Sequence, residues 1–275
     1  MELNNRRQSR LQQRKLNKLE KQEQKLLEQR PSLLSQKAAA WTAPVRERVR
    51  EKIPGKAEQA AEKSAQVLQK AFEKSFDLVL EKGSGMIAKT FSEKKLLERY
   101  EHFSKKPLSS WELTKLGTSV AMRASGNMVF STVQGGAMGA LGIGLPDVPI
   151  FLAAVFKTLF EISLSFGYPY NLPQEQIYQM LLICAAVGEE VERYRASMDA
   201  DTVAQEIRQG IMPSISREQA KERASKALCS AALTGKLIQG APIVGVYGGF
   251  RNGVLLRQIG SLAAVKYQQR MLREL

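Results

Sequence analysis

The chain has 275 residues, of which 44% are hydrophobic and only 7% aromatic, and its formal charge is +14. That length holds one large domain or two small ones with a real core, and a composition rich in Gly and Ala but poor in aromatics favours close helix packing over an aromatic-rich β core. The charge is uneven: residues 1–60 hold 15 Lys/Arg against 7 Asp/Glu, residues 61–130 hold 12 against 8, and residues 131–275 hold 14 against 12. A basic first half points to an anionic partner: a membrane surface, RNA or an acidic protein.

Residues 4–30 read as a long polar helix with a thin stripe of Leu16, Leu19, Leu26 and Leu27, too narrow for a core-facing helix, stopped by Pro31. The start, "MELNNRRQSRLQQRK", has basic residues without a following apolar stretch, so the chain is expected to stay in the cytoplasm or on the cytoplasmic face of the membrane. Residues 31–54, with Pro31, Pro44, Pro54 and the run "VRERVREK", read as a linker. Together they give a basic helical arm and linker over 1–54, ahead of a helical domain over 55–275. The arm is expected to dock on a surface, as a coiled-coil strand or an electrostatic tether to membrane or RNA. It lacks interleaved aromatics, which argues against a reader of single-stranded RNA.

A helical pattern follows Gly55, carrying Ala60, Val67, Ala71, Phe72, Phe76 and Leu78, and Gly83 and Gly85 are expected to end it. A shorter helix is expected near 92–103. Ser109 and Glu112 then mark a helix start running through Trp111, Leu116 and Val120 into a glycine-rich segment. An apolar helix runs from Pro149 to about Phe166, and "GYPYNLP" reads as a turn. Pro173 suits the first turn of a helix expected to continue through Met198. "SREQAKERASKALCSAALTGKL" is helical, and a second glycine-rich segment leads into a helix over about 250–273. No run of strand period is found, so the fold expected is all-α, a compact multi-helix bundle.

Two stripes of small residues stand out: Gly136, Ala140 and Gly144, and Ala241, Gly245, Gly249 and Gly253. Residues four apart share a helix face, and a face of Gly and Ala lets another helix approach closely. Each mid-helix Gly costs on the order of 1 kcal/mol against Ala, which packing must offset. The two stripes are expected to pack on each other, or alternatively to line a membrane. Pro146 and Pro149 interrupt residues 133–156, and 237–250 is short, so a plain spanning helix of ~20 residues fits neither.

Asp147 is the one charge in "GALGIGLPDVPIFLAAVF". Just before an apolar helix, it is expected to cap the first turn. Lys157 and Glu161 lie four apart on one face of that helix, placed to pair with each other or to reach another helix, where Arg251 or Asn252 would complete a polar cluster.

The stretch "GGAMGALGIGLPDVPIFLAAVFKTLFEISLSFGYPYNLP" resembles the signature of the EcsC family: a Gly/Ala-rich segment, an Asp two residues before a Pro, an apolar helix bearing a Glu, then Tyr-Gly and a proline-rich turn. Asp147, Pro149, Glu161 and Gly167 fall on those positions, with Phe166 where Tyr is usual. Asn252, Ala263 and Arg270 fit the family's C-terminal pattern loosely. The resemblance covers about residues 55–275. It implies a helical fold and, because the family is named for a hydrophobic protein encoded beside an ABC transporter, a membrane setting; it implies no reaction.

Enzyme signals are few. His102 reads as a surface residue near a helix end, and Cys184 and Cys229 as buried small hydrophobes in a reducing compartment. No HExxH, paired CxxC, phosphate loop or nucleophile elbow is present. Asp147 and Glu161, with Glu189, Glu190 and Glu192 of "GEEVER", are the only residues that suggest a carboxylate metal site or acid–base pair. The reading is therefore a non-enzymatic, membrane-associated accessory or interaction protein, without a cofactor, whose partner is an anionic membrane surface or a membrane protein. The alternatives are a carboxylate-based, metal-dependent hydrolase using Asp147 and Glu161, and RNA binding through the basic arm.

Overall fold

The computed structural model describes residues 2–28, 56–105, 147–239 and 249–275, and among them the chain is all-α, with helices joined by short turns and no strand. The small-residue positions Gly136, Ala140, Gly144, Ala241 and Gly245 lie outside the described residues, and so does their expected pairing. The helices are α1 (Glu2–Leu27), α2 (Lys56–Asp77), α3 (Ser84–Ala88), α4 (Glu93–Ser104), α5 (Asp147–Ser165), α6 (Pro173–Val187), α7 (Glu190–Arg208), α8 (Arg217–Gln239) and α9 (Gly249–Glu274).

Helices α5, α6 and α9 form the centre. In α5 the apolar residues Val148, Leu152, Val155, Phe156, Leu159, Phe160 and Ile162 are all buried. Its hydroxyls are satisfied within the helix or its turn: Thr158 donates to the Ala154 carbonyl at 3.0 Å, Ser165 to the Glu161 carbonyl at 2.6 Å and Ser163 to the Tyr168 carbonyl at 2.7 Å. That is how an apolar helix carries three hydroxyls without an unpaired polar group. Val148–Ser165 is long and apolar enough to cross a membrane, but most of it is covered by the other helices.

Around this centre, α2 and α4 pack on α5, α7 and α8 on α6, and α8 on α2. Helix α2 and the turn that continues it show why: Leu68, Ala71, Phe72 and Phe76 of α2, and Val79 and Leu80 just after it, recur at helical spacing and are buried, with Phe76 edge-on to Phe156 at 5.7 Å. Helix α8 starts with a reciprocal capping box, in which the Ser216 hydroxyl accepts from Gln219 N at 3.2 Å and the Gln219 side chain accepts from Ser216 N at 2.9 Å.

Three expectations change. Gly83 and Gly85 do not end α2. A π-helical turn, Leu78–Gly83, passes the chain directly into α3, and Gly83 keeps right-handed helical dihedrals, so neither glycine is used as a stop. The helix expected from Pro173 to Met198 is two helices broken at Gly188. There the backbone turns extended, and a Cβ would come 2.6 Å from the Cys184 carbonyl oxygen, so only Gly lets the chain turn that closely on the end of α6. Third, the thin leucine stripe of α1 is buried at Leu16, Leu19 and Leu27, because α1 lies on α9 and also touches α6 and α7.

Candidate functional site

The signature residues sit on α5 and the turn after it. The helix begins at Asp147 with Pro149 in its first turn, while the Asp147 side chain, and with it the expected cap, lies outside the described residues. Lys157 and Glu161 do pair, Nζ to Oε1 at 2.6 Å, and both are largely buried. Gly167 closes α5. Its N–H donates to the Leu164 carbonyl at 3.0 Å, Tyr168 N donates to the Ser163 carbonyl at 3.0 Å, and Gly167 has φ +85°. This is a Schellman end with glycine at its left-handed position. The turn is then pinned from both sides: Tyr170 stacks on Phe160 at 4.3 Å and donates to Glu93 at 2.6 Å, and Tyr168 donates to Glu274 at 2.7 Å. At the other signature segment, Gly249 is the first residue of α9, Gly253 is buried, and the side chains of Arg251 and Asn252 lie outside the described residues.

Two charged clusters that sequence reasoning missed lie on the last turns of α9. In the first, Arg270 donates to both oxygens of Glu175, at 3.1 and 2.9 Å, and Tyr267 donates to the same carboxylate at 2.6 Å. The guanidinium also lies 4.0 Å from the centre of the Tyr168 ring and 5.0 Å from that of Tyr178, and its Nε reaches Glu274 at 3.3 Å. Burial pushes the Glu175 carboxyl up, and Arg270 opposes that rise. Burial also works against the Arg270 charge, but Glu175 with Tyr178 and Tyr267 outweighs it and holds the guanidinium charged.

In the second cluster Lys266, with 0% of its surface exposed, donates to Glu23 of α1 at 3.1 Å and to the carbonyl and hydroxyl oxygens of Ser197 at 3.1 Å each, and forms an ion pair with Asp201 at 2.8 Å. Gln269 donates to the second Glu23 oxygen at 2.8 Å, and the Ser197 hydroxyl donates to Glu23. Burial disfavours the Glu23 charge, but Lys266 and the hydrogen bonds from Ser197 and Gln269 prevail and hold its carboxyl below the ordinary range. The Ser197–Lys266 contact is thus not a nucleophile–base pair. The Ser197 hydroxyl donates to Glu23, and the Lys266 ammonium is closed on three hydrogen-bonded oxygens and on the Asp201 carboxylate, so the group works as a charged rivet that fastens α1 to α9 and α7.

The remaining candidates are dispersed. Glu192 pairs with Arg223 at 2.6 Å, Glu189 accepts from Ser230 at 3.4 Å, and Glu190 is exposed. Among the described residues no group of His, Cys, Asp and Glu is gathered as a metal site. His102 is exposed on α4. Cys184 and Cys229 are free and buried, and burial pushes their thiols up to about 12 and about 11, which leaves them protonated and unreactive.

Sequence reasoning missed the α9 clusters because their partners are remote, Glu175 by 95 residues and Glu23 by 243. The one signal was "KYQQR", a polar run with Lys266 and Arg270 four apart at the end of an Ala-rich helix. Comparison with known families gives a match to the EcsC protein family over residues 13–272. No curated protein and no solved structure matches the chain. The match spans almost the whole chain and begins inside α1, so the chain belongs to the EcsC family.

Proposed function

We propose that this EcsC-family protein is a non-enzymatic accessory protein that works at the cytoplasmic face of a membrane, bound peripherally to an anionic lipid surface or to a membrane protein, in a process linked to transport. The observation that carries this reading is the use made of charge. The buried charges Glu175, Arg270, Lys266, Lys157 and the largely buried Glu161 are each closed on a partner, while the excess charge of the chain is basic and concentrated in its first 60 residues. Such a molecule offers binding more readily than acid–base work. The burial of Val148–Ser165 among its neighbours favours a peripheral over a spanning attachment.

Vesicle flotation tests it. The protein is expected to rise with vesicles containing phosphatidylglycerol and to stay behind with pure phosphatidylcholine. Failure to rise with either, from a soluble monomeric preparation, would overturn attachment to lipid and leave only the membrane-protein partner. The competing reading, a hydrolase built on Asp147 and Glu161, is tested by Glu161→Gln. Lys157 then loses its carboxylate in a mostly buried site, and thermal unfolding is expected to fall by several degrees, in keeping with the roughly 3–5 kcal/mol that breaking a buried pair costs. An unchanged melting temperature would favour the catalytic role instead.

A further inference from the structure

We infer that the outer face of α1 is the surface that lies on the anionic bilayer, as a rigid rail carried by the folded bundle. This rests on the membrane reading above and gives it a place on the molecule. Arg10, Arg14, Lys18, Lys21 and Lys25 are all exposed, and their spacings of four, four, three and four residues put them in one line along the helix. At 1.5 Å per residue the line is about 22 Å long. The two carboxylates within that span turn the other way: Glu23 is bound to buried Lys266, and Glu20 faces Arg273 at 3.9 Å. Glu23 therefore faces the bundle, Glu20 lies at its edge with 53% of its side chain exposed, and the five bases face solvent. None of the five cations has an ion-pair partner among the described residues.

The inner face fixes the direction of this row. Leu16, Leu19 and Leu27 are buried, Gln12 donates to the Leu272 carbonyl, and Arg193 of α7 donates to the Leu26 carbonyl at 3.0 Å. A row held this way meets a plane of head groups with all its charges at once, which suits a lipid surface. Between the cations stand Gln13, Asn17 and Gln24, and α1 contains no aromatic residue, so it has nothing on which nucleic-acid bases would stack.

The full-length protein is the material for the test, because deleting α1 would strip the partner from Lys266. Binding to vesicles of phosphatidylcholine with one third phosphatidylglycerol is measured at low salt for wild type, for Lys18→Gln/Lys21→Gln, and for the charge-matched control Lys74→Gln/Lys82→Gln, whose lysines are exposed elsewhere. The row variant is expected to bind about thirty-fold more weakly, from the attraction of each basic residue to an anionic surface, with an unchanged melting temperature, and the control is expected to bind like wild type. If wild type binds and the row variant binds equally well, or the control weakens as much, the rail is refuted and the membrane reading survives. If wild type does not bind the vesicles, the lipid-surface reading fails and the rail with it. Binding of tRNA without binding of vesicles would overturn both in favour of a nucleic-acid face.

Discussion

Arg270→Met is expected to destabilise the protein by about 3–5 kcal/mol, because it strands the Glu175 carboxylate, 2% exposed, without its bidentate partner. Only Tyr267 would still donate to that carboxylate. The double variant Arg270→Met/Glu175→Leu is expected to recover most of the loss, since replacing a buried pair as a whole is far cheaper than breaking it. The pH dependence has a definite sign. Burial already raises the Glu175 carboxyl and Arg270 opposes the rise, so removing Arg270 raises it further. A carboxyl whose pKa is higher folded than unfolded binds its proton more tightly in the folded state, so its protonation stabilises the fold as pH falls. The deficit of Arg270→Met relative to wild type is therefore expected to shrink from about pH 8 to about pH 5. Chemical denaturation of both proteins across that range measures it; a deficit that grows in acid would refute the account.

The parts of this molecule that were legible in the sequence are those set by neighbours along the chain. Pro173 does open a helix, the short helix expected near 92–103 is α4, with Ser92 accepting from Lys95 N at 3.4 Å at its start, and Lys157 and Glu161 pair because four residues bring them onto one face. The break at Gly188 was missed because the apolar pattern of α6 runs smoothly into the charged α7, and only the close approach to the Cys184 carbonyl demands a glycine there. The docking of α1 was missed for another reason. A stripe of a few leucines does not pay for burial by area alone, and the contact is completed by Glu23, whose partner lies at the far end of the sequence. The α9 clusters follow the same rule: long-range charge pairing leaves no period behind in the sequence.

This bears on function. Sequence reasoning placed the charged N-terminal segment apart from the domain, as an arm over 1–54. In the structure α1 is riveted to the bundle, and the family match begins within it. Its outer cations are therefore held at fixed spacing on the folded surface, and a shift of α1 would be felt at Lys266, Ser197 and Asp201.

Gly167→Ala is expected to destabilise the protein strongly, although it adds a single methyl group. Two costs meet there. The residue sits at φ +85°, which an L side chain adopts with strain, and a Cβ at this point would stand 2.3 Å from Cε1 and 2.4 Å from Cζ of Tyr100. Strain at such a position and overpacking each cost about 1–3 kcal/mol. The ring belongs to α4, so relief requires the Tyr100 side chain to swing aside or α4 to move off the end of α5, and the latter would pull on the Tyr170–Glu93 bond beside it. The glycine after the apolar helix thus has a physical reason: it lets the next layer close over the turn. Adding Tyr100→Ala to Gly167→Ala removes the collision and leaves the backbone strain, so the double variant is expected to melt above Gly167→Ala itself and below Tyr100→Ala. Gly85→Ala is the contrasting control. No atom lies within 4 Å of its added Cβ, and the site is helical, so it is expected to be neutral or to stabilise by up to about 1 kcal/mol. Thermal unfolding of the four variants decides the matter: a Gly167→Ala protein that melts with wild type would show that the turn is not pressed against α4.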